Sequence, residues 1–284
     1  MIINCIKIAD QILSEAKEEL ATLARTYEFT PKIVIIRLNN NPASEKYVNI
    51  KVNKAKELGV NTEVVTHLRT QDELILYLKK LNKDPKVNGY LVQLPLPEKF
   101  NLDEVFEHIQ IDKDLDGLSS LATSRNFTNY DGFYPQACTA AGIMKIIASR
   151  NYKLEGKHVV LVNRSLIVGK PLIPMLLAQN ATVTVCHSKT KNLNSLTNQA
   201  DVLITAIGKP NFFKKQSIKK NAFVIDAGIS VINGKIVGDV DLKQCVTQAR
   251  AITPVPNGVG KLTVAMIFAN LVKLIKHQKE STAQ

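Results

Sequence analysis

The chain has 284 residues, 45% hydrophobic, with no Trp and a formal net charge of +12. That length suits about two domains with buried cores, and no apolar run approaches the roughly 18–20 residues that span a bilayer. The N-terminus lacks the basic flank and small-residue cleavage site of a secretory signal, so a cytoplasmic protein without membrane association is expected. The basic residues are dispersed, as at Lys79-Lys80, Lys214-Lys215 and Lys219-Lys220. No nucleic-acid motif or aromatic-interleaved stripe accompanies them, so they read as solvated surface and as partners for phosphate or carboxylate ligands, not nucleic acid. Cys5, Cys138, Cys186 and Cys245 are scattered without a CxxC or a His at ligand spacing, which reads as reduced thiols and no metal site.

Residues 9–27 carry Ile12, Leu13, Ala16, Leu20 and Leu23 on one face of a helix. A short apolar run at 32–38, after Pro31, predicts a buried strand. NNNPAS then turns into a helix over 44–58, stopped by Gly59. A strand at 61–67, a helix at 71–82 and a strand at 89–94 follow, the last cut off by Pro95 and Pro97. Residues 98–134 are loop-rich with short helical pieces, and 139–150 is a helix. A strand at 158–162, a loop at 163–168, a helix opened by Gly169 and Pro171 through 179, and a strand at 181–188 make a βαβ unit of the size that holds a dinucleotide. A helix near 193–199, strands at 201–207 and 222–227, a hairpin at Asn233-Gly234, a Pro/Gly loop at 253–260 and a helix at 261–277 complete an alternating α/β pattern.

On the 44–58 helix, Val48, Val52, Ala55 and Leu58 form the apolar stripe, and Lys51 falls within it together with Ser44 and Tyr47. A Lys so placed loses hydration, which disfavours its charged form and suits acid–base work; the alternative is a Lys that snorkels to water. Gln93 sits at the carboxyl end of a strand, where ligands bind open α/β sheets, and its amide can orient a lysine or a substrate group, or simply end the strand. Asp112, Asp114 and Asp116 read as ligand carboxylates, a metal site or turn chemistry. Thr123 stands where a calcium loop wants its Glu, which argues against calcium. The loop NRSLIVG is not GxGxxG. It offers Arg164 and Ser165 beside a helix start whose amides favour anions. No acid follows the second strand, where His187, Ser188 and Lys189 stand instead. Arg164, Ser188 and Lys189 suit a 2′-phosphate, so the cofactor expected is NADP, with NAD as the alternative.

These pieces resemble the bifunctional methylenetetrahydrofolate dehydrogenase/methenyltetrahydrofolate cyclohydrolase family. The resemblance runs along nearly the whole chain: PASEKYVNIK at 42–51, VQLPLP at 92–97, KDLDGL at 113–118, ACTAAG at 137–142, NRSLIVGKP at 163–171, DAGIS at 226–230, GDVD at 238–241 and TPVPNGVGKLT at 253–263. It implies two α/β domains flanking a cleft: a folate-binding domain of 1–140 plus 265–284, closed by the C-terminal helix, and a Rossmann-like NADP-binding domain of 141–264. It implies oxidation of 5,10-methylenetetrahydrofolate to the methenyl form with NADP and hydrolysis of that cation to 10-formyltetrahydrofolate, in one-carbon metabolism. Lys51 matches the family's catalytic lysine, Tyr47 the tyrosine that packs on the folate ring, Gln93 the glutamine that holds the lysine, and Asp116 the aspartate that grips the pterin. Ser44 is counted with the substrate-binding residues. Pro256, Gly258 and Thr263 line the folate side, and Asn163, Arg164, Ser165, Ser188 and Ile229 match NADP contacts. A homodimer with tetrahydrofolate derivatives as ligands is expected. Asn163 replaces the family's Gly, which predicts crowding of the pyrophosphate or an altered turn; Ala137 and Ala140 replace prolines, and Asn257 replaces a Gly. The alternatives are retention of only one activity, or another two-domain NAD(P) dehydrogenase.

Overall fold

The computed structural model describes residues 1–282. In chain order the elements are α1 (Cys5–Thr26), β1 (Lys32–Ile36), α2 (Pro42–Glu57), β2 (Asn61–Val65), α3 (Gln71–Lys83), β3 (Gly89–Val92), α4 (Leu102–His108), α5 (Ser120–Phe127) and α6 (Cys138–Ala148). They continue with β4 (His158–Val162), α7 (Gly169–Leu177), β5 (Thr182–Cys186), α8 (Leu193–Thr197), β6 (Val202–Thr205), β7 (Phe223–Asp226), β8 (Ser230–Ile232), β9 (Lys235–Val237), α9 (Leu242–Cys245), β10 (Ala251–Ile252) and α10 (Val259–Thr282). Two compact units result. One comprises Gln11–Arg125, Tyr130–Gln136 and the chain from Ile267 onward; the other comprises Met1–Asp10, Asn126–Asn129 and Ala137–Met266.

The first of these contains a parallel three-stranded sheet in the order β2-β1-β3. Residues 33–36 and 89–92 are buried without alternation, as strands covered on both faces require. Asn41 caps α2 by accepting from the Ala43 N–H at 2.8 Å, and Gly59, at φ +73°, releases the chain after it. A capping box of Thr70 and Glu73 starts α3. The last turns of α10 belong here: Asn270 Nδ2 donates to the carbonyls of Leu115 and Gln136, each at 2.9 Å, and Gln278 Nε2 donates to the carbonyls of Asn88 and Asp112.

The other unit contains a parallel five-stranded sheet in the order β10-β7-β6-β4-β5. From β4 the chain goes to one side for β5 and returns past β4 to β6 and β7, so the topology reverses at the carboxyl ends of β4 and β6, where open α/β sheets bind ligands. Residues 1–3 travel with this sheet because the Ile3 N–H donates to the Ile252 carbonyl at 2.9 Å and Ile2 bridges Ile252. The two-residue strand β10 has no period of its own and escapes sequence reasoning. The Asn233-Gly234 turn joins β8 and β9 with both residues at positive φ, +50° and +74°, the type I′ geometry that matches strand twist.

Candidate active site

In the three-stranded unit, Ser44, Val48, Lys51 and Ala55 are the buried face of α2. Lys51 is 6% exposed, so it does not snorkel to water. Its Nζ donates to Gln93 Oε1 at 3.0 Å. Gln93 follows the end of β3, where its N–H donates to the Ile36 carbonyl at 2.8 Å and its Nε2 donates to the Leu94 carbonyl at 2.8 Å. The amide is thus held with its oxygen toward the lysine. Tyr47 is half-buried one turn before Lys51, and burial pushes its hydroxyl above the usual tyrosine range.

The three aspartates of the 112–116 loop separate. Asp114 is buried and accepts from the Gly117 and Ser119 N–H groups at 2.8 and 2.7 Å; burial pushes its carboxyl up to about 6. It is turn chemistry. Asp112 faces His277 at 3.4 Å. Asp116 remains half-buried, with a carboxylate that serves no bond of this turn. The Leu115 N–H donates to the Tyr90 carbonyl at 3.1 Å, which sets this loop beside β3 and so near the strand end that carries Gln93. Among the described residues, no three His, Cys, Asp or Glu side chains gather to hold a metal ion.

In the five-stranded unit the loop after β4 differs from the sequence expectation. Asn163 does not project outward; it is spent on the loop itself. Its Oδ1 accepts from the Ser165 N–H and Oγ at 2.8 Å each and from the Gly169 N–H at 2.9 Å, and its Nδ2 donates to the Ala206 carbonyl. A Cβ on Gly169 would lie 2.3 Å from the Asn163 carbonyl oxygen, which is why glycine opens α7. The Lys170 N–H donates to the Ser165 carbonyl at 2.9 Å, and Pro171 has none. The first amides of α7 are therefore occupied rather than open to an anion. Among the described residues, the N–H groups of Arg164, Leu166 and Ile167 donate to no protein group, so the anion donors of this loop lie before the helix.

Arg164, Ser188 and Lys189 are exposed, and Ser165 is half-buried. After β5 the His187 N–H donates to Thr190 Oγ1 at 2.8 Å, and the Lys189 N–H donates to His187 Nδ1 at 3.2 Å, a tight turn that presents Ser188 and Lys189 outward. Ile229 is 43% exposed. Pro256 is exposed and Gly258 buried; a Cβ at Gly258 would lie 2.0 Å from the Pro254 carbonyl oxygen. Thr263 Oγ1 lies 3.2 Å from Thr139 Oγ1, a partner that sequence spacing does not reveal. Asn257 has φ +69°, a left-handed conformation that Asn tolerates better than most residues, which explains how it replaces the family's glycine. The residues expected on the folate side thus divide between the units: Ser44, Tyr47, Lys51, Gln93 and Asp116 in one, Pro256, Gly258 and Thr263 in the other.

A parallel α/β sheet with a switch point, cationic and hydroxyl side chains after β5 and no carboxylate there defines a dinucleotide-binding unit; the buried Lys–Gln pair is in a second α/β unit. Residues 3–116 match the family described as tetrahydrofolate dehydrogenase/cyclohydrolase, catalytic domain, and residues 137–279 match its NAD(P)-binding domain. The chain belongs to the tetrahydrofolate dehydrogenase/cyclohydrolase family. It is 52% identical over 281 residues, 98% of each chain, to the bifunctional protein FolD of Malacoplasma penetrans, and 42% identical to that of Acetivibrio thermocellus over 98% of this chain and 97% of the relative. The crystal structure of the bifunctional enzyme FolD from Campylobacter jejuni superposes with a TM-score of 0.93 at 37% identity, covering 98% of this chain and 99% of that one. The Trypanosoma brucei enzyme, complexed with NADP cofactor and inhibitor, gives a TM-score of 0.92 at 29% identity over 98% of each chain.

Proposed function

We propose that the protein oxidises 5,10-methylenetetrahydrofolate to 5,10-methenyltetrahydrofolate with NADP and hydrolyses that cation to 10-formyltetrahydrofolate, two successive steps of one-carbon metabolism. The observation that carries this reading is the buried Lys51 side chain, its Nζ hydrogen-bonded to Gln93 Oε1 at 3.0 Å, on a helix face shared with Tyr47 and Ser44, in a chain of this family. Tyr47 would pack against the folate ring system and Asp116 would accept from the pterin's N–H donors. Gln93 holds Lys51 in one orientation, so its nitrogen is aimed rather than free to swing.

The donor set fits NADP. The free N–H groups at Arg164, Leu166 and Ile167 offer donors to a pyrophosphate, and Arg164, Ser188 and Lys189 match a 2′-phosphate that a carboxylate at the end of β5 would repel. Arg164, Ser165 and Ser188 would hold the cofactor, with Asn163 shaping the loop and Ile229 supplying apolar contact. When bound, NADP accepts a hydride from the methylene carbon of the substrate. In the second step water attacks the methenyl carbon, and Lys51 would relay protons from that water and to the ring nitrogen released as the carbon–nitrogen bond opens. A homodimer and a cytoplasmic location are further expectations of the family resemblance; among the described residues no helix is long and apolar enough to cross a membrane.

The test mixes purified protein, methylenetetrahydrofolate and NADP or NAD and follows reduced cofactor and methenyl absorbance together. Lys51→Met is expected to abolish hydrolysis of added methenyltetrahydrofolate; full hydrolysis by that variant would sink the assignment of Lys51.

A further inference from the structure

Two buried carboxylates lie outside the residues assigned so far. Asp226 ends β7 and Asp239 follows β9; they are 2% and 0% exposed. Asp239 Oδ2 accepts from Thr205 Oγ1 at 2.9 Å and from the Ile207 N–H at 2.6 Å, and its Oδ1 accepts from the Lys209 N–H at 2.8 Å. Asp226 Oδ1 accepts from the Gly228 N–H at 2.9 Å and the Asp239 N–H at 3.1 Å, and its Oδ2 accepts from the Val240 N–H at 2.8 Å. Every one of these partners is a donor, so both oxygens of each side chain are committed as acceptors.

The two motifs DAG and GDV are reciprocal. A Cβ on Gly228 would fall 2.1 Å from the Asp239 carboxyl carbon, and a Cβ on Gly238 would fall 2.1 Å from Asp226 Oδ2. Each glycine leaves room for the other motif's carboxylate. The backbone that Asp239 grips, residues 206–209, leaves the carboxyl end of β6, beside β4 at the switch point. The same segment accepts, at the Ala206 carbonyl, the Asn163 Nδ2 donor from the loop after β4. The Gly228 N–H held by Asp226 immediately precedes Ile229.

We propose that Asp239 is a positioning residue for dinucleotide binding: it holds residues 206–209 at the switch point, through them the Asn163 loop, while Asp226 fixes Asp239 and the backbone leading to Ile229. A burial-driven need to satisfy peptide groups would be met by many arrangements. This one fastens the backbone that follows β6, β7 and β9 to a single carboxylate pair, at the strand ends where the cofactor is expected. The inference rests on the reading of this unit as the NADP-binding half.

The discriminating feature is that hydrolysis of methenyltetrahydrofolate needs no dinucleotide. Asp239→Asn places an amide N–H₂ against a backbone or hydroxyl donor, so it is expected to raise both the calorimetric Kd and the KM for NADP by about tenfold or more, with kcat and KM for methenyltetrahydrofolate hydrolysis unchanged. Should that variant fail to fold, Thr205→Val removes one donor at nearly constant volume and is expected to shift NADP binding in the same direction by less, with Thr205→Ser restoring it. Equal losses in both reactions, or an unchanged NADP Kd in a folded variant, would overturn the proposal. Wild-type protein that hydrolyses methenyltetrahydrofolate but never binds NADP would overturn the dinucleotide reading itself, before any substitution is made, and this inference with it.

Discussion

Replacing Asn163 by Ala strips the loop after β4 of four hydrogen bonds at once, three accepted by Oδ1 and one donated by Nδ2. The Ser165 groups are half-buried and can turn to water, so their loss is nearly neutral. The Gly169 N–H cannot: Gly169 is buried at the start of α7, and losing its acceptor resembles losing a helix cap, at about 1 kcal/mol. The Ala206 carbonyl is half-buried and loses its Asn163 donor, which adds about 0.5–1.5 kcal/mol, the net worth of an ordinary hydrogen bond. The sum is about 1.5–2.5 kcal/mol. The protein has no Trp, so urea unfolding is best followed by circular dichroism, comparing midpoints at constant slope. A change for Asn163→Ala within about 0.5 kcal/mol, the range of ordinary surface substitutions, would refute the argument that this side chain holds the loop.

Other consequences are as direct. Burial, reinforced by the nearby Asp239 charge, pushes the Asp226 carboxyl up to about 7 against the pull of its backbone donors. The folded chain therefore binds more protons there than the unfolded one, and this group's contribution makes stability fall as pH rises from about 4 to about 7 and level off above. Asp226→Asn is expected to remove that slope from the difference between unfolding midpoints at acid and neutral pH; identical slopes in wild type and variant would contradict it. Gly258→Ala would drive a methyl into the Pro254 carbonyl, 2.0 Å away, and should cost about 1–3 kcal/mol by overpacking, measured by thermal unfolding; an unchanged Tm would show that the 254–258 loop gives way freely. Lys189→Glu places a carboxylate beside the expected 2′-phosphate and should lower the NADP over NAD preference in kcat/KM by about tenfold or more; an unchanged ratio would move the 2′-phosphate elsewhere.

The alternating pattern of apolar runs and 3.6-period stripes is a local property, so the parallel α/β character, the 44–58 helix with Lys51 on its buried side and the Asn-Gly hairpin were all legible in the chain. Burial of Lys51 follows from its place in that stripe. Its bond to Gln93 does not, because the two residues are 42 positions apart in sequence and meet only when β1 and β3 pair. The 112–116 acids were equivalent as letters; tertiary placement made Asp114 a buried turn anchor and left Asp116 available. Asn163 is the sharpest case. As a replacement for glycine it predicts crowding of the pyrophosphate or an altered turn; its amide turns inward, because the Gly169 N–H and the Ala206 carbonyl, from two different strand ends, converge on it. DAGIS and GDVD were visible as motifs, while the reciprocal fit of their glycines and carboxylates required the hairpin β8–β9 to bring them together. Sequence by itself determined which residues are apolar, basic or helix-starting and so what class of sites the chain could build. Only the tertiary structure decided which donor meets which acceptor, since hydrogen bonds act over a few ångströms while the residues that make them are separated by tens of positions.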